Sequence, residues 1–432
     1  MNRTPLFFAL FLALPLGGGL LAQSPDLQST DAKVRQKAVK QLADSGGGGA
    51  QKCEALAGLV RDPAPDVRDE AVIALIKVGG QQCLEPLRVA TRDASPDIQS
   101  MAVDGIVNFY IPGYVKFGWL NSVKSFGGNV KKRFTTPEPL IIQPSLQPAA
   151  ADIAAIAPLI TGGSSMDSRA NAARAVGILR GSAALPQLKE ALNSENDTVV
   201  IEALRSLEKI GDMSVGADVV PSLGSPNAAV RAAAAHAAGQ LRVKEAIRDL
   251  SRLAKGDSDK SVRRESLVAL AKIPENGEER TFLLFLRDKD EQMRAAAAEG
   301  LGRGGAASDL ATVNDAFAAE KSESARLSMA FAAVHLGDLD KIRYLVDGLD
   351  SSFHKGEARA FLIELARTPR ILAELYTPMT SGTRNQKIEL ATVVSRSGDR
   401  DSIAHMQRLT NDSDPRVAEA AIRELKNLQA RL

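Results

Sequence analysis

An all-α solenoid of helical hairpins is the fold class this sequence predicts, and three observations predict it. The composition is the first: 44% of the 432 residues are apolar and 25% charged, while aromatics make up 4%, with one Trp and four Tyr. Those are globular values, which exclude wholesale disorder, and small, Ala-rich positions suit close-packed helices better than β-sandwiches. The second is a helical pattern that returns about every thirty-one residues. The third is a polar turn of Asp, Pro or Gly ahead of the pattern, as in Asp62-Pro63-Ala64-Pro65-Asp66. The charge balance, 54 Lys+Arg against 52 Asp+Glu, gives +2 and leaves no basic field over the whole molecule. That argues against a dedicated nucleic-acid binder.

The first element is residues 1–22, which read as a signal peptide. Arg3 precedes the apolar run from Leu6 to Leu14, then come Pro15, Gly17-Gly18-Gly19 and Leu20-Leu21-Ala22, with cleavage expected after Ala22. No later stretch approaches the ~18–20 apolar residues of a spanning helix. The mature chain is therefore expected to be exported, to the periplasm or the extracellular medium.

The repeats follow, expected at 23–108 (repeats 1–3) and 149–432 (repeats 4–12). Most start on an apolar or small residue and place a small one at +4, all place an apolar one at +8, and Gly often follows at +12. Steps of four residues advance 40° around a helix, so these positions form one buried stripe. The frames start at Val34, Val67, Ile98, Ser168, Val199, Val230, Val262, Met293, Ala325, Ala358, Gln386 and Val417. Ala or Ser fills nine of the twelve +4 positions, and every +8 position is apolar, from Leu42 to Leu425. A second helical signature lies between frames, as in Leu84/Leu87, Ile156/Leu159, Leu185/Leu188 and Ile247/Leu250. One hairpin cannot bury its own apolar face, so the copies must stack.

Cys53 and Cys83 stand thirty residues apart, one repeat length. An oxidising compartment permits a disulfide that would tie the first two repeats together. Helices ~8–10 Å apart against the ~7 Å limit on Cα separation leave bridge and buried thiols both open. No His or further Cys stands nearby to complete a metal site.

The frames Asp66-Val67-Arg68-Asp69-Glu70-Ala71 and Asp414-Pro415-Arg416-Val417-Ala418-Glu419-Ala420-Ala421 resemble HEAT repeats, most of all the short bacterial kind shared with phycobilin lyases. The resemblance spans nearly the whole mature chain and implies a scaffold that binds a protein partner along one face. It also implies a structural reading of the column Arg35, Arg68, Arg231, Arg263, Arg294, Arg326 and Arg359. With Asp31, Asp66, Asp259 and Asp290 close by, these are expected to form Asp–Arg ladders between repeats, in preference to a phosphate site.

Chemical motifs are sparse. Gly300-Leu301-Gly302-Arg303-Gly304-Gly305 has dinucleotide-binding spacing but falls at the end of a repeat helix with no preceding strand. His236, His335, His354 and His405 form no H-x-x-x-H pair, and no G-x-S-x-G elbow occurs. No catalytic residue, metal or cofactor is expected.

One segment breaks the period. Between Ile98 and Ser168 the spacing is 70, which leaves an insertion at 109–148. It holds Phe109, Tyr110, Tyr114, Phe117, Trp119, Phe126 and Phe134, with the bases Lys116, Lys124, Lys131, Lys132 and Arg133 and a Pro-rich tail. Solenoids carry function in insertions, and aromatics beside bases favour binding. The binding residues are therefore expected to be Tyr110, Tyr114, Lys116, Phe117, Trp119, Lys124, Phe126, Lys131, Lys132, Arg133 and Phe134. Alternatively the aromatics pack on the solenoid as a local core. The function expected is a non-catalytic exported scaffold, a monomer, docking a protein partner. An anionic membrane surface and a lyase-like enzyme or chaperone are the alternatives.

Overall fold

The computed structural model describes residues 25–116, 140–143, 145–274 and 277–432. Helices of α and 3-10 type account for its secondary structure, with no strand among the described residues. The leader expected at 1–22 lies outside them. The chain divides into two compact units, Met1–Ile210 and Gly211–Leu432.

In the first unit the frame helices are Ala32–Asp44, Pro65–Val78, Pro96–Tyr110, Met166–Ile178 and Asp197–Ile210. In the second they are Ala228–Gln240, Lys260–Lys272, Glu291–Gly304, Glu323–His335, Lys355–Leu365, Arg384–Ser397 and Pro415–Arg431. Every predicted frame falls on one of these twelve. A shorter helical segment precedes each frame helix and packs against it, so the hairpin is short helix, polar turn, frame helix. Frame helices stack on frame helices within each unit, for example Met166–Ile178 on Asp197–Ile210 and Glu291–Gly304 on Glu323–His335.

The stripe is the core. All twelve +4 residues are buried, and so are all the +8 residues except Leu425. Among the frame starts only Val34 is exposed. Both exceptions sit in the outermost frame helices, where no further hairpin of the described chain covers them. At +9 a small residue lets helices meet. A Cβ on Gly239 would stand 2.6 Å from Ala269 Cα, and one on Gly177 2.7 Å from Ser206 Cα. The dinucleotide-like glycines serve the same purpose. Gly300 lies against the Phe282 ring and Gly302 against Phe331, both inside the helix Glu291–Gly304 instead of beyond its end.

The turns divide their polar residues between two tasks. The residue three before the frame start is the N-cap in every hairpin but the one before Ala358, where it is His354. Asp31, Asn227, Asp259, Asp290 and Asp414 accept from backbone N–H groups of the first turn, as do Ser95, Ser165 and Thr383. The ladder acids sit two residues earlier. Arg35 Nε donates to Asp62 at 2.7 Å, Arg68 to Asp93 at 2.6 Å, Arg231 to Asp257 at 2.8 Å and Arg294 to Glu320 at 2.5 Å. Lys387 makes the fifth rung with Asp412 at 2.8 Å. Each arginine also donates through Nη1 to carbonyls of its own hairpin's turn, such as Arg231 to Ser225 O at 2.9 Å. One side chain thereby fixes two consecutive turns. The expected ladder exists in part. Among the described residues Arg263 bonds only carbonyls of its own turn, Arg326 lies over two rings, and Arg359 takes Glu389 on the next frame helix at 2.8 Å. Asp31 and Asp259 are caps, Asp66 makes no rung, and Asp290 serves Arg264, one residue beyond the column, at 2.7 Å.

Cys53 and Cys83 are joined in a disulfide with Cα atoms 5.0 Å apart. Cys83 stands on the 3-10 turn Gln81–Cys83, which brings it nearer Cys53 than parallel helix axes would allow. The bridge ties the second hairpin to the third.

Candidate binding surface at the base of the insertion

The insertion leaves the third hairpin at Tyr110, the last residue of Pro96–Tyr110, and the fourth hairpin begins with Ala150–Ile156. Helix Pro96–Tyr110 starts on a Ser95 cap with proline at its first turn. It ends at Tyr110 with Ile111 as its C-cap, and beyond the end Gly113 takes φ +87, a conformation glycine adopts without strain. Asn108 Oδ1 then accepts from Val115 N at 3.0 Å and steers the exit.

Asp152 is the joint. It is fully buried, and its two carboxylate oxygens accept from Arg88 Nε and from Tyr110 Oη, both at 2.6 Å. Tyr110 Oη accepts in turn from Ala149 N at 2.9 Å. Burial, then the bond to Asp152, pushes the Tyr110 hydroxyl above its usual pKa. Thr91 Oγ1 adds a bond to Ala155 O at 3.2 Å. The chain on either side of the insertion is thus closed by a charged, buried clamp.

A second polar group lies on the stacked frame helices beneath. Asn171 Nδ2 donates to Asp104 Oδ1 at 3.0 Å and to Ser100 O at 3.2 Å, and Arg174 donates to Asn171. Arg205 donates to Glu202 at 2.9 Å, and burial lowers the pKa of Lys209. Tyr114 rests half-buried against this group. Burial, then the Asp104 charge, raises its hydroxyl far above the usual range, and it bonds Arg174. On the return, Ile142 is buried and donates its N–H to Ile178 O at 3.0 Å, at the end of Met166–Ile178.

Of the expected binding residues, Tyr110 and Tyr114 are engaged in these bonds, and Lys116 is exposed. Phe117, Trp119, Lys124, Phe126, Lys131, Lys132, Arg133 and Phe134 lie outside the described residues. Phe109, Ile141 and Leu146 remain exposed around the base. Sequence reasoning missed Arg88, Asp104, Asp152, Asn171 and Arg174. The frame-helix members stand at +3 or +6 of their frames, off the apolar stripe, and that was their only signal. No group of three or more potential metal ligands occurs among the described residues. The histidines take separate places: His236 beside Glu265 at 3.0 Å, His335 against Phe331, His354 near Glu357 and His405 stacked on Tyr376.

A family model for HEAT repeats matches residues 25–109 and 216–284. The first span is the three hairpins ahead of the insertion. Importin beta has a similar structure, with TM-score 0.50, 13% identity, and 94% of this chain covering 62% of that one. An engineered protein matches with TM-score 0.40 and 19% identity, over 95% of this chain and 98% of that one. The CpcE–CpcF complex of phycocyanin lyase from Nostoc sp. PCC7120 matches with TM-score 0.37 and 20% identity, over 69% and 100%. At these identities the likeness shows the fold alone. No curated protein matches the sequence.

Proposed function

We propose, for a chain that belongs to the HEAT-repeat family, the role of a non-catalytic, exported adaptor that holds a protein partner through its solenoid face and the 109–148 insertion. One observation carries this reading. Both flanks of the aromatic, basic segment are fastened to the neighbouring hairpins, by Tyr110 and Tyr114 at the exit and Ile142 at the return. A binding element held at both ends loses less freedom on docking than a free tail, which favours affinity. The segment has four bases from Lys124 to Arg133 and no acid between Asp104 and Glu138, so its partner should present an acidic, partly apolar surface.

The clamp defines the experiment. Residues 117–139 are replaced by a Gly-Ser linker of equal length, which leaves Tyr110, Tyr114, Ile142 and Asp152 in place. The parent protein should retain a partner from an envelope extract and the variant should lose it, with melting temperature unchanged. A variant that still holds the partner, or that melts well below the parent, shows the segment to be internal packing. Trp119, the sole Trp, gives a second readout. Acrylamide should quench it in the free protein, and a blue shift on anionic vesicles alone would favour the membrane alternative. Export is tested by fusing residues 1–22 to a reporter. Retention in the cytoplasm would remove that part of the reading.

A further inference from the structure

A charged bridge crosses one frame helix of the second unit. Arg303, near the C-terminal end of Glu291–Gly304, engages four of its five N–H groups. Nε and Nη2 donate to the two Glu364 oxygens at 2.7 and 2.9 Å, and Nη1 donates to Glu299 Oε2 at 2.9 Å and Ala271 O at 3.1 Å. Ala271, Arg303 and Glu364 stand on the frame helices of hairpins seven, eight and ten. The ninth, Glu323–His335, is the helix crossed: Arg303 lies over its Phe331 ring at 5.1 Å, and Phe361 stacks on that ring at 4.8 Å. The cover shows in exposure. At +6 in this unit His236, Val268, Glu299, Glu364, Thr392 and Arg423 all reach solvent, whereas Phe331 is fully buried.

We infer that Arg303 and Glu364 form a strap that closes hairpins eight, nine and ten into one block, and that releasing it lets the tenth hairpin swing away from the eighth. The rungs tie successive hairpins at the starts of their frame helices. The strap ties alternate hairpins near the ends of theirs, through residues 61 apart in sequence. It acts where the ladder lapses. Arg326 of the ninth hairpin makes no ion pair among the described residues. Its contact with the Tyr344 ring at 4.9 Å and the bond from Ser324 Oγ to Glu357 at 2.7 Å stand there in place of a rung. The strap is also poised to open. Glu299 and Glu364 are like charges that repel one another and are held together by the guanidinium between them. Taking Arg303 away turns that attraction into repulsion between the eighth and tenth hairpins. None of this depends on a partner or on the insertion.

Spin labels on Ser308→Cys and Arg370→Cys in the full protein measure the gap. Both positions are exposed just beyond the two strapped helices, and the native cysteines are bonded to each other. Burial raises the Glu299 pKa, so the measurement is made at about pH 8 to keep it ionised. Double electron–electron resonance should give one narrow distance with the strap intact. Arg303→Gln should broaden it and lengthen the mean by more than about 2 Å, the scale of an ordinary helix shift. Glu364→Gln, which leaves Arg303 on Glu299, should lengthen it less. Arg303→Gln combined with Glu364→Gln should lie nearer the parent than Arg303→Gln alone, because Glu299 then faces a neutral amide at 364. Asp257→Ala, which opens a rung outside the block, should leave the distance unchanged, so lost stability alone cannot mimic the effect. An unchanged distance in Arg303→Gln, a double variant as wide as that single one, or an equal shift in Asp257→Ala would overturn the inference. If Arg303→Gln fails to fold, Glu364→Gln against Asp257→Ala decides it: a shift confined to the former supports the strap, and no difference between them refutes it.

Discussion

Asp257→Ala opens one rung of the ladder and tests whether the rungs hold the stack. The carboxylate is 5% exposed and the Arg231 side chain 13%. It accepts from Arg231 Nε and Nη2, both at 2.8 Å, and from Asp259 N at 2.8 Å. Exposed ion pairs contribute about 0–1 kcal/mol, but removing one partner of a desolvated, bidentate pair costs about 3–5 kcal/mol. Arg231 keeps its bonds to Ser225 O and Pro226 O and some water, so about 2–3 kcal/mol is the better figure. For 150–250 residues each kcal/mol moves Tm by about 2–4 °C, and the second unit spans Gly211–Leu432. A fall of about 4–12 °C by circular dichroism is expected. Amide exchange should accelerate first in Ala228–Gln240 and Lys260–Lys272, the two frame helices this rung connects, because solenoid stability is shared between neighbours. Arg231→Ala should cost a similar amount, and the double variant clearly less than the sum. Strict additivity, or a melt within about 1 °C of the parent, would show that the ladder is decoration.

Three further outcomes follow from the same packing. Leu207→Asp puts a carboxylate at a fully buried +8 position and should cost about 4 kcal/mol or more, so an unchanged melting curve would refute the frame register. Asp152→Ala leaves Arg88 and Tyr110 facing a buried gap; a loss of about 3 kcal/mol, with faster exchange in Ala150–Ile156, is expected, and a neutral result would deny the clamp. Arg294 holds the Glu320 carboxyl at about 2, below its unfolded value of about 4.3. That contribution is complete above the unfolded value and is lost as pH falls from there to about 2; Glu320→Gln should flatten this part of a pH–Tm profile.

The period, the stripe and the helix starts were legible because they are local: three or four residues on one helix face carry each. The ladder was legible as a column of bases but not in its acids. Asp31 and Asp259 are nearer in sequence and are used up as caps, whereas Asp62 and Asp257 come within reach only when the next hairpin stacks. Asp152 gave no warning, since it stands in an Ala-rich run and its partner Arg88 lies 64 residues away. Arg326 looked like one more member of its column. Its difference shows only in the folded hairpins, where its guanidinium lies over Phe317 and Tyr344 instead of meeting a carboxylate.

The disulfide has a mechanical consequence. Cys53 and Cys83 enclose the whole of Pro65–Val78 in a covalent loop of separation 30. A solenoid drawn from its N-terminus by an optical trap should peel one hairpin at a time, yet tension transmitted through the bridge bypasses that helix. About 100 Å of contour length, at ~3.3–3.6 Å per residue, stays hidden until a reductant releases it. The oxidised protein should therefore extend from that end in a shorter series of steps, with the withheld length appearing as one added increment after reduction.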